Sequence, residues 1–595
     1  MAVDPITLAV LRGSLEQIAD EMDSTLERMA FSPVISDGWD RASGIYHPDN
    51  GEVIIQGPRG LPNFIYVMEF TVRSVIEWVA DMAPGDIYIV NDPYLGGTHL
   101  MDVKMVKPFY YRGQLTAFLA TSGHWPDIGG RVPGGFSTRA TEVYQEGLRL
   151  PPVRIMDRGT LNRDVLDIIL RNVRVASERQ GDIIAKIAAL NVGADRLAAL
   201  LDRYGKETVF SAIAEMKTRS EQLMRRHLET IPDGTYAFTD HIDSDGVVWE
   251  PLTIHLGMTV RGSDVHLDFS RSSPPCRGPL NSVRSTTMAG AYIAIKHIFP
   301  DVPINAGCFT PFTFDLPETT FLNAQEPRPV AGCASEVCQR IIDVVFGALS
   351  QAIPERCYAA PMGTVTNLSV GGDDPESGPY VFYSFIGGGY GGNFLTDGLT
   401  NGNPTIALAR TQALEIFEAR YPVLFTRYTI REGSAGAGLR RGGFGVIFEF
   451  QLLRGQAAGS LLGERGRFAP FGILGGGPAE RARHTFVLHG EEFRPAHITK
   501  DENVAMQPGD TLRLETPGGG GYGNPLDRPP EHVLQDVRRS YYDRDTARRD
   551  YGVVIERDGW MVDVEATSRL RASLPGPLST WVERRRQAEA GGGKA

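Results

Sequence analysis

Two H-x-x-D steps fall within one glycine-rich stretch of the sequence. The first, His99-Leu100-Met101-Asp102, follows Asn91-Asp92-Pro93-Tyr94-Leu95-Gly96-Gly97-Thr98; the second, His124-Trp125-Pro126-Asp127, lies between Ser122-Gly123 and Ile128-Gly129-Gly130. Imidazole and carboxylate together are the donors that a borderline divalent ion such as zinc or manganese takes, and three protein ligands leave a coordination position open for water or substrate. His99, Asp102 and His124 are the candidate ligands. Asp127 is a candidate catalytic residue, orienting a ligand imidazole or serving as general base, with a turn-capping role at Gly129-Gly130 as the alternative. The structural alternative for the histidines is that they brace tight glycine turns. Asp92 reads as a loop carboxylate bonding into Gly96-Gly97.

Rigid elements must carry such a site. Asp86–Val90 reads as a strand running into Asn91-Asp92, and Leu115–Thr121 as a second strand running into His124. Upstream, Asp4 before Pro5 is a helix start, and Leu8, Leu11, Leu15, Ile18, Met22, Leu26 and Met29 recur at three- and four-residue steps, so a helix is expected from Pro5 to Ala30. Asp49-Asn50-Gly51 is a hairpin turn between Gly44–Tyr46 and Val53–Ile55, and Ile65–Ala80 is a second helix. Downstream, 164–228 is mainly helical and 235–315 an antiparallel sheet interrupted by a helix at 287–297. A further helix is expected at 335–349, and short strands follow 382. The expected fold class is α+β, with mixed and antiparallel sheets, helical blocks and a glycine-rich β region toward the C-terminus. Expected domains are a metal-site region 1–163, a helical segment 164–232, an α+β region 233–381, a glycine-rich mainly β region 382–587 and a disordered tail 588–595.

Composition narrows the function classes. The chain has 595 residues, long enough for several cores, and its charged fraction of 22% is ordinary for a globular protein. A net charge of −12 argues against a nucleic-acid or anionic-membrane footprint. No basic start with an apolar run and no spanning-length apolar segment is seen, which makes the cytoplasm the expected compartment. Five cysteines without a C-x-x-C pair read as reduced, buried thiols. Sixty-seven glycines imply many positions of close backbone approach or positive φ.

Several strings taken together resemble the hydantoinase B/oxoprolinase family. They are Asp4-Pro5-Ile6-Thr7, the two H-x-x-D steps, Gln145-Glu146-Gly147-Leu148-Arg149, Ala331-Gly332-Cys333-Ala334-Ser335-Glu336-Val337-Cys338-Gln339-Arg340, Gly387–Gly392, Arg440–Gly445, Leu462-Gly463-Glu464-Arg465 and Thr516–Gly523. The resemblance implies a metal-dependent B-type subunit of a heteromeric, ATP-dependent cyclic-amide hydrolase of the hydantoinase, oxoprolinase or lactamase type. Its carbonyl substrate would be activated by a partner A-type ATPase subunit that carries ATP and Mg. The alternatives are the corresponding subunit of an acetone or acetophenone carboxylase, with a small third subunit, and a non-catalytic scaffold for the ATPase. This sequence has no G-x-x-x-x-G-K-[ST] string of its own.

The resemblance also assigns the ligands to His99, Asp102 and His124, and implies a fourth, acidic one near Asp37–Tyr46. Counting from Ser32-Pro33 puts it at Asp40; counting back from Gln56 puts Arg41 there, which would suit the carboxylases better. Glu336 is expected to complement a helix dipole. Pro517–Gly521 reads as a subunit-contact loop, and Arg465 and Arg467 as surface or interface ion pairs.

Overall fold

The computed structural model describes residues 3–403, 405–556 and 559–574; the tail expected at 588–595 lies outside them. The first helix, α1 (Pro5–Met29), starts as its sequence requires: the Asp4 carboxylate accepts from the amides of Ile6 and Thr7. Its stripe of Leu8, Leu11, Leu15, Ile18, Met22 and Leu26 is buried, each large side chain contributing roughly 1.5–3 kcal/mol of transfer free energy. The turn α2 (Pro33–Ser36) then leads into β1 (Arg41–Tyr46) and β2 (Val53–Gln56), the hairpin expected around Gly51, whose φ is +71°. After α3 (Pro62–Trp78) come β3 (Ile87–Val90), β4 (Asp102–Tyr111), β5 (Gln114–His124), β6 (Val153–Asp157) and β7 (Thr160–Leu161). These strands form one antiparallel sheet in the order β2-β1-β5-β4-β3-β6-β7.

The helical stretch is three helices, α4 (Arg163–Arg171), α5 (Ala176–Tyr204) and α6 (Lys206–Leu228). A second sheet follows, with β8 (Gly234–Ile242), β9 (Leu252–Arg261), β10 (Asp264–Asp268), α7 (Arg284–Ile298) and β11 (Phe312–Asp315) in the order β11-β10-β9-β8. It is mixed, not purely antiparallel, because α7 intervenes and β11 returns parallel to β10. The next helix opens on a π turn, Cys333–Val337, before α8 (Cys338–Leu349).

Beyond α8, β12 (Asn367–Asp374) pairs with β13 (Gly378–Ser384) and with a later strand, and the domain boundary expected at 381/382 falls inside β13. α9 (Leu414–Arg420) precedes β14 (Val423–Ile430), β15 (Val446–Leu452), β16 (Gln456–Leu462), β17 (Arg483–Leu488), β18 (Glu491–Phe493), β19 (Lys500–Met506) and β20 (Thr511–Glu515). Two sheets result, β13-β12-β16-β19 and β14-β15-β20-β17-β18. Three helices close the described chain: α10 (Pro530–Arg538), α11 (Arg544–Tyr551) and α12 (Val564–Ser573). The fold is α+β. All five cysteines are free and buried, and among the described residues no helix is long and apolar enough to cross a membrane.

The run Pro517–Gly521 is not a subunit contact. It is buried within its own chain, hydrogen-bonded to other glycine segments: Gly519 N–H donates to Gly443 C=O, and Gly392 N–H to Gly520 C=O. Packing is so close that a Cβ on Gly442 would lie 1.7 Å from the Gly519 carbonyl oxygen. Only glycine permits that backbone-to-backbone approach, so here composition reports internal packing.

Candidate metal centre

The three candidate ligands meet. Asp102 is the first residue of β4 and His124 the last of β5, and they face each other directly in the antiparallel register. His99 stands one tight turn earlier. Its Nε2 is 2.9 Å from Asp102 Oδ1, and His124 Nδ1 is 3.1 Å from the same oxygen. One ligand atom from each residue lies within 4.8 Å of the others, and all three are buried. Paired strand ends hold the site more rigidly than the two loops expected from sequence.

Hydrogen bonding fixes the donors' roles. His99 Nδ1 lies 3.0 Å from the carbonyl oxygen of Ala331. A carbonyl can only accept, so Nδ1 carries a proton and leaves Nε2, directed at the Asp102 carboxylate, as the ring atom able to ligate an ion. His124 Nε2 is buried with no hydrogen-bond partner, and burial, against the pull of Asp102, lowers this imidazole to about 4, keeping it neutral and able to ligate. Burial works to raise the Asp102 carboxyl, yet the electrostatic pull of His99 and the hydrogen bonds of both imidazoles hold it well below the usual carboxylate range. Its second oxygen accepts from Thr98 Oγ1 at 2.5 Å, and Lys104 Nζ donates to Thr98 Oγ1. The donor set and the unpartnered His124 Nε2 fit a divalent ion of the zinc or manganese type.

Asp40 lines the same cavity as His99, Asp102 and His124, although it stands outside their tight cluster. Burial first, and the nearby Asp102 charge second, raise its carboxyl well above the ordinary range. Arg41 points the other way: its guanidinium reaches the Asp23 carbonyl and Glu27 on α1. The two neighbours thus face opposite ways, Asp40 toward the cavity and Arg41 toward α1. The walls also include Asn63 and Phe64 of α3, Ser335 of the π turn, Tyr383 of β13 and Ile406. Tyr383 packs its ring against His124 at 4.6 Å between centroids.

Asp127 does not join them. Both its oxygens accept from the Gly129, Gly134 and Arg174 amides, and its Oδ1 also pairs with the Arg174 guanidinium at 2.8 Å. It caps a turn, and it is not among the residues lining the cavity. Asp92 accepts from the amide of Tyr94, not from Gly96-Gly97. Glu336 stands in the π turn that leads into α8, fully buried, where it also accepts from Val365 N–H and Asn367 Nδ2. Arg465, expected at a surface, is buried and pairs with Asp240 and Asp343.

One role escaped the sequence. Glu146, 1% exposed, accepts from the amides of Ala331 and Val330 at 2.7 and 3.0 Å, and so fixes the carbonyl that orients His99. The strings around 146 and 331 were both visible; their contact, 185 residues apart in the chain, was not.

The chain is thus α+β, with His99, Asp102 and His124 gathered where two paired strands end. The family model for Hydantoinase B/oxoprolinase matches residues 4–525, and this chain belongs to that family. It is 35% identical to the caprolactamase subunit beta of Pseudomonas jessenii, over 96% of this chain and 99% of that one. The crystal structure of the ATP-dependent caprolactamase from Pseudomonas jessenii superposes with a TM-score of 0.89 at 33% identity, covering 96% of this chain and 100% of that chain. The nucleotide-free acetone carboxylase structure has the same TM-score at 20% identity, covering 100% of this chain and 84% of that chain, a likeness of fold alone.

Proposed function

We propose that this chain is the metal-bearing B-type subunit of a heteromeric, ATP-dependent cyclic-amide hydrolase, acting on a carbonyl that a partner A-type ATPase subunit activates. The observation that carries the reading is the convergence of two buried imidazoles on one oxygen of Asp102, His99 Nε2 at 2.9 Å and His124 Nδ1 at 3.1 Å, beside the unpartnered His124 Nε2. His99, Asp102 and His124 would hold the ion, with Asp40 as an additional oxygen donor. When bound, a divalent ion of this kind supplies Lewis-acid polarisation of a carbonyl and a water acidic enough to attack near neutral pH. The chain's own residues prepare that chemistry. The Ala331 carbonyl holds the proton on His99 Nδ1, and Thr98 and Lys104 brace Asp102 from behind. Phe64, Tyr383, Phe385 and Ile406 restrict water around the reacting carbonyl.

The caprolactamase relative supports hydrolysis of a cyclic amide, and its designation as a beta subunit supports a partner. Asp40 on the cavity, with Arg41 turned toward α1, further supports hydrolysis over carboxylation. The test is reconstitution. The purified chain is expected to bind one divalent ion and to lack ATP turnover, and lactam hydrolysis is expected only after an A-type subunit and ATP are added. Lactam hydrolysis that survives complete removal of the ion would reject the reading.

A further inference from the structure

A second cleft shares Asn403 and Ala409 with the walls of the ion cavity and is also lined by Asn401, Arg410, Thr411 and Gln412. Arg410 stacks its guanidinium on the Trp39 ring, 3.6 Å from the centroid, and its amide donates to the Gly38 carbonyl at 2.8 Å. Trp39 holds a left-handed backbone, φ +62°, that a bulky residue adopts only under constraint. The next residue is Asp40, on the ion cavity. Among the described residues, no carboxylate pairs with Arg410. The side-chain oxygen of Asn403 and both polar side-chain atoms of the buried Gln412 are without partners. A guanidinium stacked flat on an aromatic ring keeps its N–H edge free and planar, the geometry that grips a carboxylate or phosphate through two parallel hydrogen bonds.

We infer that this cleft binds an anionic group of the substrate next to the ion site, with Arg410 as its charged contact and Asn403 as a neighbouring polar contact. The inference rests on the proposed function, which supplies two sources for such an anion: the phosphate placed on an activated carbonyl, or a carboxylate belonging to the substrate. Strain at Trp39 has a use on this account, since it sets the platform for Arg410 and the position of Asp40 in one turn.

Isothermal titration of inorganic phosphate, and separately of acetate, into full-length protein tests it, using the unaltered chain, Arg410→Gln and Arg410→Lys with metal content measured in each. Arg410 is exposed, so neither variant disturbs a core. Phosphate affinity is expected to fall roughly tenfold or more in Arg410→Gln, the worth of one charge-assisted hydrogen bond. Arg410→Lys should fall between, and ion content should not change. The same Arg410 dependence for acetate, with phosphate the weaker ligand, would assign the cleft to a substrate carboxylate. Anion binding that is absent from the unaltered chain, or indifferent to Arg410, overturns the inference. A chain that binds phosphate through Arg410 but never holds an ion would instead defeat the proposed function.

Discussion

Two buried polar clusters in this molecule come from equally conspicuous strings, and only one is left open. Around Arg340 and Arg465, opposite charges close on one another: Arg340 pairs with Asp343, Glu464 and Asp240, Arg465 with Asp343 and Asp240, and Lys500 with Glu464. Asp243 completes the cluster by accepting from the amides of Gly466, Arg467 and Phe468. At the strand ends, by contrast, one oxygen of Asp102 is shared by two imidazoles, His124 Nε2 has no partner, and Asp40 lies close enough to feel the Asp102 charge. Burial of polar groups therefore does not itself distinguish structure from chemistry. Whether the protein's own opposite charges balance the cluster does, even though single atoms of the first cluster, Arg340 Nε, Arg465 Nε and Asp343 Oδ1, also lack a hydrogen-bond partner.

That contrast can be broken by substitution. Arg465→Ala leaves Asp343 and Asp240 short of a cation in the interior and is expected to cost about 3–5 kcal/mol in chemical denaturation, with the ion content of the folded fraction unchanged. Asp102→Asn should do the reverse. It is expected to reduce metal affinity by more than about 100-fold, beyond what an outer-shell partner is worth, while the denaturation midpoint of the ion-free protein changes little. If Asp102→Asn unfolds the chain and Arg465→Ala strips the ion, the two clusters have been assigned the wrong way round.

Smaller effects sharpen the boundary of the open cluster. Asp40→Asn is expected to weaken metal binding by about 10–100-fold, whereas Arg41→Ala should destabilise α1 packing and leave affinity unchanged; competition with a chelating indicator separates them. Glu146 provides the pH-dependent case. Burial, opposed by the Val330 and Ala331 amides, pushes its carboxyl from the ordinary 4.5 up to about 8. The folded state thus binds more protons than the unfolded state between those values, so this group's contribution is complete below pH 4.5 and is lost as pH rises through 8. Glu146→Gln should flatten the stability profile between about pH 4.5 and 8. A slope unaltered by the substitution would remove Glu146 as its source.

The sequence made the local parts readable. Apolar spacing located α1, α3 and the helical stretch to within a few residues, and the H-x-x-D steps located the triad. What escaped depends on contacts between distant segments. Asp127 repeats the His124 spacing, but Gly129, Gly134 and the Arg174 amide claim its oxygens, and nothing local announces Arg174. Which of Asp40 and Arg41 turns toward the cavity follows from how the chain leaves the left-handed Trp39 and enters β1, which no local pattern announces. Arg465 and the Pro517–Gly521 run read as surface features because charge and glycine usually mark surfaces; here long-range partners bury both.

The central claim is that the open cluster holds an ion, and elemental analysis of the purified chain with its Asp102→Asn variant, each reconstituted with zinc or manganese and desalted, tests it most directly. The account predicts one equivalent of divalent metal in the unaltered chain and almost none in the variant, with both proteins folded. No retained metal in the unaltered chain, or equal metal in the two proteins, would contradict it.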